Sequence, residues 1–189
     1  MDYKAQYQIY LSQVSSALEN ACERFLPENS EVCRAARYSL LSGGKRIRAV
    51  LTLSVCEMLG GDMDAARSFS AAVEMLHCYS LIHDDLPCMD NDDLRRGRPS
   101  CHKAFGEATA MLAGDVLLTE AFDAIANAPA SAQARVRAAQ ALGMGAGSHG
   151  MVYGQELDLK YEALAATEDQ LRLIHRNKTG ALINAAVQM

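Results

Sequence analysis

Between residues 82 and 97 the chain reads Ile-His-Asp-Asp-Leu-Pro-Cys-Met-Asp-Asn-Asp-Asp-Leu-Arg-Arg-Gly, with five aspartates inside ten residues and two arginines directly after. Carboxylates this dense repel one another unless a cation sits among them. A hard divalent ion such as Mg2+ suits them, since it takes one or two carboxylates and completes its shell with waters and substrate phosphates. The paired arginines supply forked, permanently charged donors that match phosphate oxygens. Acids for a metal beside bases for a phosphate point to a diphosphate ligand. A solvated acidic loop is the alternative, opposed by the apolar approach through Leu81 and Ile82 and by the arginines. An EF-hand is excluded, because the ligand positions, the glycine and the closing glutamate do not line up.

Three further groups of residues could serve the same chemistry. His77, Ser80 and Asp84 fall at helical spacing and make a polar line on an otherwise apolar segment. Ser42-Gly43-Gly44-Lys45-Arg46-Ile47-Arg48 puts three cations after two glycines, at the start of an apolar helix. Backbone donors there, with Lys45 and Arg48 one turn apart, make an anion site. Its spacing does not fit a Walker A loop. His175-Arg176-Asn177-Lys178-Thr179-Gly180 places a lysine, a hydroxyl and a helix-weakening glycine in mid-helix, which calls for compensation such as a bound phosphate. Gln155 and Asp158 add polar lining. Two diphosphates of roughly −3 each, held ~8 Å apart at an effective dielectric of about 20, would repel by about 19 kcal/mol. So many cations suit two such groups better than one.

The elements that must hold these residues are helical throughout. Tyr7, Leu11, Val14, Leu18, Cys22 and Phe25 recur at three- and four-residue steps, predicting a first helix stopped by Pro27. A second spans Glu31 to Leu41 and leaves through Gly43-Gly44, and a third covers Ile47 to Leu59. The fourth starts near Asp64, runs into the acidic segment and ends at Pro87, whose ring cannot continue it. That proline is expected to fold Asp90 back toward Asp84, at a helix C-terminus whose partial negative charge favours cations. A polar loop holds Gly97 and Pro99. Helix resumes from Glu107 to Asn127, then from Ser131 through five glycines between 143 and 154, with a link over 160–166. Thr167-Glu168-Asp169-Gln170 resembles a capping box opening a last helix. The glycines follow a helical segment, not a strand, so a dinucleotide fold is rejected in favour of close helix packing. The fold class is all-α, in one domain over 1–189.

Composition narrows the partners. A formal net charge of −5 argues against nucleic acid. The six cysteines are scattered without metal spacing, which reads as reduced thiols in a cytoplasmic protein. No apolar run is long enough to span a bilayer, and the first residues carry no signal-peptide region.

Taken with their order along the chain, Gly-Gly-Lys-Arg-Ile-Arg at 43–48, Asp-Asp-Leu-Pro-Cys-Met-Asp at 84–90 with Arg-Arg-Gly at 95–97, Gly-Gln-Glu-Leu-Asp-Leu at 154–159 and Lys-Thr-Gly-Ala-Leu at 178–182 resemble the trans-polyprenyl diphosphate synthases, on their bacterial farnesyl diphosphate synthase branch. The resemblance implies an isoprenoid-synthase-type helical bundle around a central cavity, and a Mg2+-dependent prenyltransferase that condenses isopentenyl diphosphate with dimethylallyl or geranyl diphosphate to give farnesyl diphosphate. It implies that Asp84 and Asp90, with Asp85 assisting, hold Mg2+. It assigns Arg95, Lys178 and Thr179 to the allylic diphosphate, and Lys45, Arg48, His77 and Arg96 to isopentenyl diphosphate. No protein nucleophile or acid–base residue is required. Tyr79 would be the floor of the tail cavity, although angular position alone favours Ser80. A homodimer is implied as well. The family's second aspartate-rich motif lies on later helices that this sequence does not include, so the bundle is expected to lack its C-terminal helices. Two other readings stay open: a non-catalytic prenyl-diphosphate-binding or regulatory chain, and a class I terpene cyclase, which would have no use for the second basic site.

Overall fold

A computed structural model describes residues 2–162 and 164–189. The helices begin where the sequence supplies caps. Asp2, Ser30, Asp62 and Ser131 each accept a backbone N–H from the first turn of α1 (Tyr3–Phe25), α2 (Glu31–Leu40), α4 (Met63–Asp84) and α7 (Ala132–Ala146). Between them lie α3 (Ile47–Met58), α5 (Cys101–Phe105) and α6 (Glu107–Ala126). At α9 (Glu168–Ile174) the capping box forms in full, Thr167 and Gln170 satisfying each other's backbone donors.

α4 is the central helix. Its middle is buried, as a helix surrounded by others must be; Ala72, Val73, Met75 and Leu76 are fully buried. α3 and α6 flank it, α1 packs on α4 and α3, α2 packs chiefly on α6, and α10 (Ala181–Gln188) packs on α7 and α3. All six cysteines are free thiols. Among the described residues, no helix is long and apolar enough to cross a membrane.

Three local features differ from the pattern read in the sequence. The helix expected from Ser131 through the glycines is two helices, α7 and α8 (Met151–Glu162). Clustered glycines weaken helix, and Gly147 takes an extended conformation that ends α7. α8 then runs to Glu162, so the expected link shrinks to a few residues, of which Ala163 lies outside the described residues. The polar loop contains a hairpin, β1 (Leu94–Arg95) pairing antiparallel with β2 (Arg98–Pro99). Its turn residues Arg96 and Gly97 both have positive φ, 54° and 76°, as a two-residue hairpin turn requires. Strands of two residues are too short to show alternation. Third, the last helix carries a π-helical turn, His175–Gly180, between α9 and α10.

Candidate metal and diphosphate site

The C-terminal end of α4 carries the acidic segment. Past Asp84 the chain turns at Pro87: the Asp90 N–H donates to the Asp84 carbonyl at 2.8 Å, and the Met89 and Asn91 N–H groups donate to the Leu86 carbonyl at 2.8 and 3.1 Å. Asn91 sits at φ 53°, which closes the turn. Asp90 is thereby returned to the end of α4 beside Asp84. Burial pushes the Asp84 carboxyl up to about 6; Lys178 works against that shift and Asp90 adds to it. Two acids crowded at a helix C-terminus repel each other and favour a cation. Among the described residues no three His, Cys, Asp or Glu side chains converge as a ready-made metal cage. The donor set fits an ion that takes two carboxylates and fills its shell with water and phosphate oxygens, as Mg2+ does.

Asp85, expected to assist the metal, faces elsewhere. One residue further round the helix is a 100° rotation, and its buried carboxylate accepts from Arg95 Nε at 2.9 and 3.2 Å and from a second guanidinium nitrogen. Arg95 also reaches Asp92 at 3.3 Å. Its guanidinium is therefore paired with protein carboxylates and faces a small crevice shared with Arg96, apart from the main cavity.

That cavity, of about 520 Å³, lies between α3, α4, α8 and the π turn. Arg48, His77, Tyr79, Ser80, Asp84, Gln155, Lys178 and Thr179 all line it. Four segments far apart in sequence thus meet at one void. Three buried polar atoms on its wall have no hydrogen-bond partner: Arg48 Nε, His77 Nδ1 and Gln155 Nε2. Burying a polar group unpaired costs about 1–3 kcal/mol, and all three of these atoms belong to residues that line the one cavity. His77 is held neutral, its pKa lowered to about 3 by burial first and then by Arg48 and Arg96. Burial also lowers Arg48 from the usual guanidinium range, yet a guanidinium stays charged at any ordinary pH. Arg48 supplies charge and His77 a neutral hydrogen bond.

The remaining expected residues take other positions. Lys45 is exposed and is not among the cavity-lining side chains; its carbonyl accepts from the Tyr7 hydroxyl. Arg46, between them, adopts φ 50° and turns inward to an ion pair with Glu74 at 3.1 Å. Arg96 reaches from the hairpin to Ser42 Oγ at 3.2 Å and to the Gly43 carbonyl. Its guanidinium lies against Gly44, where a Cβ would come within 2.7 Å of Cζ. Arg96 thereby joins the hairpin to the basic loop. Ser80 Oγ donates to the His77 carbonyl at 2.8 Å, so its polar group is satisfied within its own helix.

Lys178 and Thr179 sit on the π turn. Lys178 Nζ contacts Asp158 at 2.5 Å on α8. The turn lies directly on Gly154, where any Cβ would overlap the backbone of Lys178. Glycine at 154 therefore lets α8 approach closely, and the widened helical turn redirects Lys178 and Thr179 to the cavity.

Several wall residues carried no sequence signal of their own. Met151, Val152 and Leu159 give an apolar flank on α8, and Met89 closes the loop side. Met151, Gln155 and Leu159 follow one another at four-residue steps, so one helix face is legible once α8 is known. His83 also lines the cavity. A larger groove, of about 750 Å³, runs between α7, the π turn and α10, but no carboxylate lines it.

Residues 29–189 match the family model for polyprenyl synthetase. A farnesyl diphosphate synthase of Micrococcus luteus is 47% identical over 178 residues, covering 94% of this chain and 60% of that protein. The large subunit 1 of a chloroplastic heterodimeric geranylgeranyl pyrophosphate synthase of Arabidopsis thaliana is also 47% identical, over 92% of this chain and 48% of its own length. The crystal structure of a geranyltransferase from Legionella pneumophila superposes with a TM-score of 0.94 at 43% identity, covering 98% of this chain and 67% of that one. The chain thus spans about half to two thirds of the length of the relatives it matches.

Proposed function

Because the chain belongs to the polyprenyl synthetase family, we propose that it acts as a Mg2+-dependent prenyltransferase of the cytoplasm, joining isopentenyl diphosphate to an allylic diphosphate to give farnesyl diphosphate. The observation that carries this reading is that Arg48, His77 and Gln155, each with a buried unpaired nitrogen, line one cavity together with Asp84 and Lys178. Asp84 and Asp90 would hold Mg2+, which would supply positive charge to offset that of the diphosphate. Lys178 and Thr179 bind the allylic diphosphate, and Arg48, His77, Lys45 and Arg96 that of isopentenyl diphosphate. The allylic carbon–oxygen bond ionises, the isopentenyl double bond attacks the cation, and the released diphosphate takes the final proton. Arg95 joins the allylic site only by loosening from Asp85. The tail runs along α4 toward Tyr79, about 7.5 Å from Asp84 along the axis.

Likeness to geranylgeranyl synthases supports a second reading, in which the product is one isoprene unit longer. The chain works as a homodimer, as the family likeness implies. Incubating the protein with Mg2+, geranyl diphosphate and isopentenyl diphosphate tests the whole reading. Farnesyl diphosphate is the expected product. Binding without turnover would reduce the chain to a prenyl-diphosphate-binding subunit, and hydrocarbon release would replace the reading with a cyclase.

A further inference from the structure

The wall between Asp84 and Tyr79 is completed by His83, one turn of α4 beyond Tyr79. The His83 ring meets the Tyr79 ring edge-on, with centroids 5.6 Å apart and planes at 83°. Its Nε2 lies 2.9 Å from the carbonyl of Met111 on α6. A carbonyl can only accept, so this nitrogen carries the proton and donates. The ring occupies the space in front of Gly114, also on α6: a Cβ there would come within 2.8 Å of Cε1, and closer still to Nε2 and Cδ2. The overlap is with the end of a side chain, not with backbone. A methyl at 114 would therefore displace the His83 ring, which lines the cavity together with Tyr79.

We propose that Gly114 and His83 form a positioning pair that sets the width of the tail-binding end of this cavity, so that α6 as well as α4 governs how long a prenyl chain fits. The pair rests on the prenyl diphosphate reading above. Gly114 touches no ligand; it acts through His83, and His83 acts through its own bulk and its contact with the Tyr79 ring. Losing burial of only two methylenes weakens a ligand by about 1.6 kcal/mol, or roughly fifteenfold.

The test is calorimetric titration, in Mg2+, of the wild-type chain, Gly114→Ala, His83→Ala and the double variant. The probes are inorganic pyrophosphate and geranyl, farnesyl and geranylgeranyl diphosphates. Gly114→Ala is expected to weaken farnesyl diphosphate about tenfold or more while leaving pyrophosphate unchanged, a split that general loosening of the fold would not give. His83→Ala is expected to raise affinity for the longest tail. In the double variant the Gly114→Ala effect should vanish, since the ring it displaces is gone. An unchanged ratio of tail to pyrophosphate affinity in Gly114→Ala, or additive effects in the double variant, would overturn the pair. Failure of the wild type to bind any prenyl diphosphate would instead overturn the functional reading beneath it.

Discussion

Arg46 and Arg48 are two residues apart and chemically identical, yet their surroundings are opposite. Arg46 is buried against Glu74, donates to the Leu40 carbonyl at 2.5 Å and is neutralised by a carboxylate that is itself 1% exposed. The second Glu74 oxygen accepts from the Ala49 N–H at 3.4 Å, at the start of α3. Arg48 faces a cavity with a buried Nε that nothing accepts from, beside a neutral His77 and an unpaired Gln155. A buried charge with all its partners inside the protein fixes the loop that carries it. A buried donor without one is held ready for something that arrives. The same contrast separates Asp85, closed by Arg95, from Asp84, whose carboxyl is pushed up to about 6 by burial.

The comparison breaks if the two arginines respond alike to mutation. Glu74→Ala strands the Arg46 charge in the core and should cost about 3–5 kcal/mol of stability, read from urea unfolding. Arg48→Ala should leave the urea midpoint nearly unchanged and weaken isopentenyl diphosphate by about 1.5–3 kcal/mol, the worth of a charge-assisted hydrogen bond, read by calorimetry. Equal stability losses in both variants would erase the distinction.

His77 sharpens it through pH. Its folded pKa is lowered to about 3 from an ordinary 6.5, so below 6.5 the unfolded chain binds the proton that the folded chain refuses. The stability is fully present above pH 6.5 and drains as pH falls toward 3. At pH 5 the loss amounts to about 2 kcal/mol. His77→Gln should remove that slope from the unfolding profile between pH 7 and 5. The smallest effect expected is local: Thr167→Ala removes the capping box of α9 and should cost about 1 kcal/mol, with the cavity residues undisturbed in ligand titrations.

Legibility in the sequence followed the range over which each constraint acts. Pro87 forces α4 to end near Asp84, so the return of Asp90 could be foreseen from a single residue. The cap at Thr167 is equally local. Which of three adjacent cations turns inward could not be foreseen, because that depends on the left-handed backbone of Arg46 and on Glu74 nearly thirty residues away. The pairing of Asp85 with Arg95 could not be foreseen for the same reason: Arg95 is held by a hairpin whose strands are two residues long. Glycines at 145 and 154 signalled close packing. That Gly154 would meet a π turn carrying Lys178 is a tertiary fact with no local trace.

The most direct measurement is calorimetric titration of the 189-residue chain with geranyl diphosphate, with and without Mg2+, beside Asp84→Asn and Arg48→Ala. Binding is expected to depend on Mg2+, to lose this dependence in Asp84→Asn, and to stay largely intact in Arg48→Ala, because Arg48 serves the other diphosphate. Binding that is indifferent to Mg2+ and to Asp84 would contradict the proposed function.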